Sequence, residues 1–169
     1  MSNQLNPKWI GSMQKNFTTT WKFRLILCRI LPMGFLSGMK VRQLDEERCV
    51  VTVPYRWINK NPFRSTFWAV LGMAAEMSSG ALLAMYTFRQ KPSIAMLIVG
   101  TTAKFIKKAQ GVTTFTCTDG LKVRKAIEKT LETGEPECIE CLVTGKDKHG
   151  NDVAEFTFTW SVKARSGKG

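Results

Sequence analysis

The chain has 169 residues, the length of one domain built around a single hydrophobic core. Its content of 44% hydrophobic and 22% charged residues excludes a disordered chain. The formal net charge of +12 favours anionic partners such as nucleic acid, membrane headgroups or a phosphorylated small molecule. The five cysteines do not form the even set of a disulfide framework, so we expect a reducing compartment, the cytoplasm.

The N-terminal segment, residues 1–32, is predicted to be helical. Apolar residues recur at nearly helical spacing between residues 8 and 31, and Pro32 ends the pattern. Seven Lys or Arg residues precede the first acid, Asp45, and a basic, acid-free start is also typical of a mitochondrial transit peptide. Because Arg29 interrupts the apolar run and no small-residue cleavage site follows, a structural helix is favoured over a targeting role.

A hairpin, a loop and a long helix follow. Two strand-like runs flank the charged turn DEER at residues 45–48. Residues 55–66 contain the Asn, Pro, Ser and Thr typical of a loop. The helix is predicted to open at Phe67, with Ser65 or Thr66 as its N-cap, and to run to about residue 88. It is apolar nearly all round, so a sheet must wrap it.

The second half of the chain is mostly strand-like. The run IAMLIVG, residues 94–100, is apolar on both faces, as a central strand is. The run VTTFTCT, residues 112–118, is the next predicted strand, and a basic amphipathic helix over residues 121–134 ends on a glycine C-cap. Two further strands flank the turn at residues 147–152, and residues 164–169 are predicted to be a frayed tail.

This order of elements predicts an α+β fold in a single domain over residues 1–169. One curved antiparallel sheet of five or six strands is expected to wrap one long central helix, with an extra N-terminal helix. No uninterrupted apolar run reaches 18 residues, so we expect no membrane span.

Two familiar kinds of site are disfavoured by the residues available. Cys138 and Cys141 form a lone C-x-x-C, the chain has one histidine, and a structural zinc site needs four Cys or His ligands. Residues three apart on a strand also point to opposite faces, so we expect no metal site there. That histidine, His149, lies in a predicted turn, which argues against a Ser-His-Asp triad.

Glu76 is the single charged residue in the long helix between residues 67 and 85. A carboxylate buried without a partner costs several kcal/mol or shifts its pKa upward. Gly72 and Gly80 lie about one turn away, and a helical glycine costs about 1 kcal/mol relative to alanine, so a backbone or a ligand is expected to approach closely there. The residues alone leave three interpretations open: Glu76 is exposed at an edge, paired in a salt bridge at the rim of the core, or placed for catalysis.

Residues 30–163 resemble the hot dog fold, in which a curved sheet wraps a central helix. The closer resemblance is to acyl-CoA thioesterases of the phenylacetic-acid-pathway type and to their uncharacterised thioesterase-like relatives. It is carried by VTVPYRWINKNPFRSTFWAVLGMAAEMSSGAL, residues 51–82, and PSIAMLIVGTTAKFIKKAQG, residues 92–111. In such enzymes an Asn in the loop before the helix precedes an acid by fifteen residues, and Asn61 and Glu76 keep that spacing.

The resemblance implies a role for each of five residues. Glu76 would be the general base or nucleophile, and Asn61 would orient the water or the thioester. The backbone amides of Trp68 and Ala69 would form the oxyanion hole, and Ser93 would place a hydroxyl beside the acid. In the relatives the site crosses a dimer interface, so Glu76 would come from one subunit and Asn61 with the amides from the other. A homodimer or a dimer of dimers is therefore expected.

The implied substrate is a thioester of coenzyme A or acyl carrier protein, with coenzyme A as part of the substrate and no separate cofactor. Four basic residues are candidates for contact with its phosphates: Lys104, Lys107, Lys108 and Arg124. Phe67, Trp68 and Ala69 replace the usual His-Gly-Gly, which leaves open a non-catalytic protein that binds acyl chains or thioesters. Nucleic-acid binding is a third hypothesis, disfavoured because the basic residues are scattered and no recognition motif is present.

Overall fold

The computed structural model describes residues 5–165 and has the predicted α+β architecture, with one six-stranded antiparallel sheet. The strand order is β1-β2-β4-β5-β6-β3. The strands are β1 (Lys40–Leu44), β2 (Cys49–Val53), β3 (Ile94–Phe105), β4 (Thr113–Cys117), β5 (Glu137–Lys146) and β6 (Asp152–Ala164). The helices are α1 (Pro7–Thr18), α2 (Thr20–Ile30), α3 (Pro32–Ser37), α4 (Trp68–Thr87) and α5 (Gly120–Thr133), with a short 3-10 helix at Trp57–Asn59.

Helix α4 is the central helix and contacts all six strands. Aromatic side chains of β6 lie beside its glycines: a Cβ on Gly72 would lie 3.6 Å from the Phe156 ring, and one on Gly80 would lie 3.5 Å from the Trp160 ring. The indole of Trp160 also donates a hydrogen bond to Ser79 Oγ at 3.1 Å. The approach expected from a backbone or a ligand is therefore made by aromatic rings of the sheet.

The predicted N-cap of α4 is wrong. The helix begins at Trp68, and Phe67, at the N-cap position, supplies no side-chain acceptor. Ser65 and Thr66 instead bind the loop after β3: Ser65 Oγ accepts the Ala109 amide at 3.0 Å, and Thr66 Oγ1 donates to the Ala109 carbonyl at 3.1 Å. The Ser65 hydroxyl thereby satisfies the buried Ala109 amide, while the Ala109 carbonyl also accepts the Thr66 backbone amide at 2.8 Å.

The predicted single helix over residues 8–31 is divided in two at Thr19, whose backbone is extended. The hydroxyls of Thr18 and Thr19 donate back to carbonyls four residues earlier, at 2.7 and 2.6 Å, a pattern that destabilises and bends helices. Pro32 ends α2 as predicted, but it also occupies the first turn of α3, where its missing N–H costs nothing.

Strand β3 lies at an edge of the sheet, not at its centre as its apolar pattern predicted. Among residues 5–165 it pairs with β6 alone, and Leu97 and Val99 are 65% and 55% exposed on it. The residues are apolar on both faces as predicted, but nothing in this described part of the chain covers the outer face or the outer edge of β3.

The last part of the chain follows the prediction closely. Helix α5 ends at Gly134, whose φ of 74° is left-handed. Strand β6 buries Phe156, Phe158, Trp160 and Val162 on one face. Residues 166–169 of the predicted frayed tail lie outside the described residues, while Ala164 belongs to β6.

Helix α4 is long and apolar enough to cross a membrane by length and composition. However, 61% of its most apolar 18-residue stretch is buried inside the fold, which is typical of a core helix. The helix therefore does not indicate a membrane span.

Candidate functional site

Glu76 lies in the middle of α4 and lines an apolar cavity of about 220 Å³. The N-terminal helices cover this cavity from one side, and α4 with β6 forms the other. The principal lining side chains are Phe23, Ile26, Leu27, Met73, Met77 and Trp160. A carboxylate on an otherwise apolar wall can act on a polar group carried by an apolar ligand.

Glu76 is exposed in the single chain, and its carboxylate has no hydrogen-bond or ion-pair partner among residues 5–165. The salt bridge that one interpretation required is therefore absent from this part of the chain, and the exposed position that another interpretation described is present. The apolar side chains packed around Glu76 raise the pKa of its carboxyl group above the ordinary value, because they desolvate the charged form. A raised pKa brings a carboxylate closer to the range in which it works as a general base at neutral pH.

Asn61 organises the loop before α4. Its Oδ1 accepts the backbone amides of Phe63 at 3.0 Å and Ser65 at 3.1 Å, which closes a tight turn. This uses the side-chain oxygen and leaves the Asn61 amide nitrogen without a partner among the described residues. A structural role of Asn61 is thus visible in one chain, and its amide nitrogen remains available as a donor.

The first turn of α4 presents two free amides. The N–H groups of Trp68 and Ala69 have no acceptor within residues 5–165, as expected of the first positions of a helix. Such groups carry partial positive charge suited to a developing oxyanion. The Trp68 indole is 60% exposed and meets the Phe67 ring edge-on at 5.9 Å, so within one chain it does not fill the Glu76 cavity.

The predicted site residues divide between two places. Asn61 and Trp68 line a second, more open cavity of about 380 Å³, together with Lys107 and Lys108. Glu76 does not line that second cavity. One chain therefore does not bring the acid together with the Asn61 loop, an arrangement compatible with the expectation that the two come from different subunits.

Ser93 precedes β3 and lines neither of these cavities. Its carbonyl accepts the Arg165 amide at 2.8 Å, and its side chain is exposed. The structure therefore does not place the Ser93 hydroxyl beside Glu76 within one chain.

The four basic candidates also lie apart. Lys107 makes an ion pair with Asp147 at 2.9 Å beside the Asn61 cavity, where Lys108 is also found. Lys104 is exposed near the end of β3. Arg124 pairs with Glu46 and Glu128 at 2.8 and 2.9 Å, and these carboxylates line a different cavity. Arg124 is thus neutralised and remote from both Asn61 and Glu76.

Sequence reasoning missed the part that α2 plays at the site. Phe23, Ile26 and Leu27 of α2 form the wall opposite α4, so the N-terminal segment is part of the cavity rather than an appendage. The i, i+3, i+4 spacing of these residues was the available signal.

A cluster of Cys117, Asp119 and Cys141 was also missed. The donor atoms of these side chains lie within 4.8 Å of one another. The Cys117 thiol donates to Asp119 Oδ2 at 4.0 Å. Interaction with the Cys141 thiol lowers the pKa of Cys117, and the same interaction raises the pKa of Cys141. Cys138 is exposed while Cys141 is buried, so the two cysteines of the C-x-x-C point to opposite faces, as predicted.

Comparisons with known proteins agree with this architecture. Residues 19–162 match the family described as domain of unknown function (DUF4442). A comparison with curated proteins found no match.

Solved structures share the fold at low sequence identity. PA5026 from Pseudomonas aeruginosa, a protein of unknown function described as "Probable Thioesterase", has a TM-score of 0.73 and 19% identity over 84% of this chain and 93% of its own. Thioesterase HI1161 from Haemophilus influenzae has a TM-score of 0.64 and 12% identity over 89% and 95% of the two chains.

The E. coli PaaI protein, from the phenylacetic acid degradation operon, has a TM-score of 0.60 and 13% identity over 87% of this chain and 94% of its own. Identities this low show a shared fold and not a shared reaction. The chain therefore belongs to the DUF4442 family and has the fold of the hot dog thioesterase superfamily.

Proposed function

We propose that the protein hydrolyses an acyl thioester of coenzyme A or of acyl carrier protein. The observation that carries this proposal is the Glu76 carboxylate, unpaired among the described residues and with a raised pKa, on the wall of an apolar cavity in a hot dog fold. An acyl chain suits the apolar walls, and the carboxylate suits the thioester at its end.

The proposed chemistry is attack of water on the thioester carbonyl. Glu76 takes a proton from the water as its oxygen bonds to the carbonyl carbon, and negative charge develops on the carbonyl oxygen. Free amides at the start of α4, those of Trp68 and Ala69, stabilise that oxygen, and Asn61 orients the water or the thioester. The C–S bond then breaks, and the thiolate leaves and takes up the proton. Direct attack by the Glu76 carboxylate is the second route to the same products.

Two chains are needed for this arrangement, and the exposed edge of β3 supplies a surface to join them. A long apolar edge strand that stays unpaired invites pairing with another strand. We propose that β3 of one protomer pairs with β3 of its partner, which would bring the Asn61 loop of one chain toward Glu76 of the other. A dimer of dimers is compatible with this pairing.

Lys108 is the preferred phosphate contact for coenzyme A, because it lines the cavity of Asn61 and Trp68 and forms no ion pair among the described residues. Lys107 lines the same cavity and would have to exchange its single ion pair with Asp147 for the phosphate. Lys104 is a weaker candidate, and Arg124 is disfavoured by its two ion pairs.

The cavity of about 220 Å³ is smaller than the roughly 300–1,000 Å³ of typical ligand sites, so we propose short or medium acyl chains.

No cofactor is proposed. The cytoplasm is the proposed location, because free cysteines are usual there.

The test measures thiol release from a panel of acyl-CoAs of increasing chain length. We expect turnover by the wild type and a loss of about 10²–10⁴-fold in Glu76→Gln, which keeps the shape of the side chain but removes the base. Glu132→Gln, an exposed change on α5, is the matched control and should retain turnover. Turnover that is undiminished in Glu76→Gln, or absent at every chain length, would contradict the proposal.

A non-catalytic protein that binds acyl chains is the second candidate. Bulky Phe67 and Trp68 stand where related enzymes have His-Gly, and both are exposed and line a surface pocket with Asn61. Native mass spectrometry of the freshly purified protein distinguishes the two functions. A co-purified lipid or coenzyme A species, without turnover of any acyl-CoA, would favour binding.

A further inference from the structure

We propose that α2 and α3 dock on the surface of an anionic lipid bilayer. The docking face consists of exposed apolar side chains between residues 21 and 36, here called the α2–α3 face: Trp21, Leu25, Ile30, Met33 and Leu36. This proposal concerns a surface and is independent of whether Glu76 hydrolyses a thioester.

Helix α2 is apolar on two opposite sides. Its inner side, with Phe23 and Leu27, is buried against the core. Trp21 and Leu25 are four residues apart, so they lie one above the other on the outer side, and they are 62% and 63% exposed. A helix that has only to cover a core presents polar residues outward, so this outer side is unexplained by the fold of one chain.

Helix α3 extends the same kind of surface. Met33 and Leu36 are three residues apart in α3 and are 62% and 49% exposed. The Phe35 ring lies between the two helices, with the Arg24 guanidinium 4.4 Å from its centroid. This contact joins α3 to α2, and the apolar residues of both helices remain in solvent.

The charges around the face identify its partner. No Asp or Glu occurs before Asp45, and Lys22, Arg24 and Arg29 flank the apolar side chains of α2. None of these three cations forms an ion pair with a carboxylate in the described part of the chain. Exposed Trp and Leu between unpaired Lys and Arg are typical of helices that lie in a bilayer interface, where the cations meet anionic headgroups.

A second copy of the chain is a poorer partner for this face. A symmetric contact would place the same three cations against one another, and the segment carries no acid to neutralise them. A nucleic acid would use the charge but leave Trp21, Leu25 and Met33 in water. An anionic bilayer satisfies both the apolar and the charged groups.

Docking through the α2–α3 face would also bring the Glu76 cavity close to the bilayer. The inner side of α2 lines the Glu76 cavity, and Ile30 and Phe88, both well exposed, line its rim. Docking through α2 therefore brings an apolar opening close to the bilayer, where acyl compounds concentrate.

The experiment is flotation of the full chain with vesicles of neutral phosphatidylcholine, with and without 30% phosphatidylglycerol. We expect binding only with the anionic lipid and weakening as salt rises. The double variant Lys22→Gln/Arg29→Gln should bind about 25-fold more weakly, at about fivefold for each basic side chain. Lys125→Gln/Lys148→Gln removes two exposed cations elsewhere and should bind like the wild type.

The contribution of the apolar side chains to vesicle binding is tested with a separate variant. Trp21→Ser/Leu25→Ser should reduce vesicle binding by more than about tenfold, whereas Trp57→Ser, at an exposed tryptophan outside the face, should not. Brominated acyl chains should quench the fluorescence of the wild type, and Trp21→Phe should lose that quenching while it still floats. Circular dichroism and light scattering of each variant establish that it is folded and whether its mass changes.

Three outcomes would overturn the proposal. These are equal binding to neutral and anionic vesicles, absence of binding to either, and a change of oligomer mass in Trp21→Ser/Leu25→Ser, which would assign the face to a second copy. Glu76→Gln should float like the wild type, so a failure of the proposed hydrolysis leaves the docking result unaffected.

Discussion

Glu76 introduces a single charge into a helix most of whose other side chains are buried or half-buried. It is exposed in the single chain, shares its cavity lining with Met73, Met77 and Trp160, and its carboxylate gains no hydrogen bond from the described residues. The helix therefore bears an electrostatic cost that packing does not explain. Residues that serve function at the expense of stability produce this pattern.

That cost predicts a pH-dependent stability. The pKa of the Glu76 carboxyl group is raised in the folded chain, so ionisation of Glu76 lowers the free energy of unfolding. The penalty is absent below the ordinary pKa of 4.5 and grows as pH rises through the folded pKa. Glu76→Gln should raise the melting temperature at pH 8 and leave it nearly unchanged at pH 4. Equal differences at both pH values, in thermal unfolding followed by circular dichroism, would show that charge is not the cause.

The cysteines predict a second result at the residue scale. Cys28 and Cys138 are exposed, whereas Cys49, Cys117 and Cys141 are buried. Thiol reagents need access to the thiolate, so two thiols should react rapidly in the native protein and three more after denaturation. The control Cys28→Ser/Cys138→Ser should lose the rapid phase. Rapid reaction of a third thiol would contradict the burial of the cluster around Cys117.

At the scale of elements, α4 and β6 are fitted together by size. Glycine at 72 and 80 leaves room for Phe156 and Trp160, but a methyl group at either position would make only an ordinary van der Waals contact. Gly120 is different, because a Cβ there would overlap the backbone carbonyl of Glu46. The same substitution should therefore have opposite effects at two helical glycines.

We expect Gly72→Ala to increase the free energy of unfolding by about 0.5–1 kcal/mol, since alanine favours the helix and its methyl group fits. Gly120→Ala should decrease it by at least about 1–3 kcal/mol, because backbone must move to relieve the overlap. Urea unfolding at one temperature measures both. A loss of stability in Gly72→Ala comparable to that in Gly120→Ala would mean that the space beside α4 is already filled.

Within single elements, the features that were predicted correctly are those that neighbouring residues determine. The strict alternation of β6 and the glycine cap of α5 are properties of neighbouring residues, and both were predicted correctly. The cap of α4 was not, because Ser65 and Thr66 serve Ala109, 43 or 44 residues away in the chain. The break at Thr19 was missed because the apolar residues keep nearly helical spacing across it, and the hydroxyls of Thr18 and Thr19 that bind back to the preceding turn leave no mark on that spacing.

For the whole molecule, the error about β3 is informative. An apolar pattern on both faces predicted a central strand, and in one chain β3 lies at an edge. If β3 pairs with β3 of a partner as proposed, the strand lies at the centre of a two-chain sheet, and the pattern of an interior strand follows. Sequence spacing likewise relates Asn61 to Glu76, but it does not say whether one chain supplies both, and in one chain the two residues line separate cavities.

This predicts a dimer joined through β3. Light scattering after size exclusion should give about 38 kDa, twice the 19.0 kDa of one chain. Leu97→Lys/Val99→Lys places like charges along the proposed pairing strands, so the measured molar mass should fall toward that of one chain. Any thioesterase activity should be lost with the dimer. Leu142→Lys, at an exposed residue on the interior strand β5, is the control and should stay dimeric. A wild type of 19 kDa at micromolar concentration would exclude the proposed two-chain site.

The hydrogen bond between Trp160 and Ser79 has a practical consequence. Trp160 is 5% exposed and lines the Glu76 cavity, whereas Trp21, Trp57 and Trp68 are each at least 60% exposed. Its indole therefore emits at shorter wavelength than those three. An acyl chain that enters the cavity would change the surroundings of this ring. We therefore expect ligand entry to shift the blue edge of the emission, to which the half-buried Trp9 also contributes, and this intrinsic signal would follow ligands that have no colour of their own.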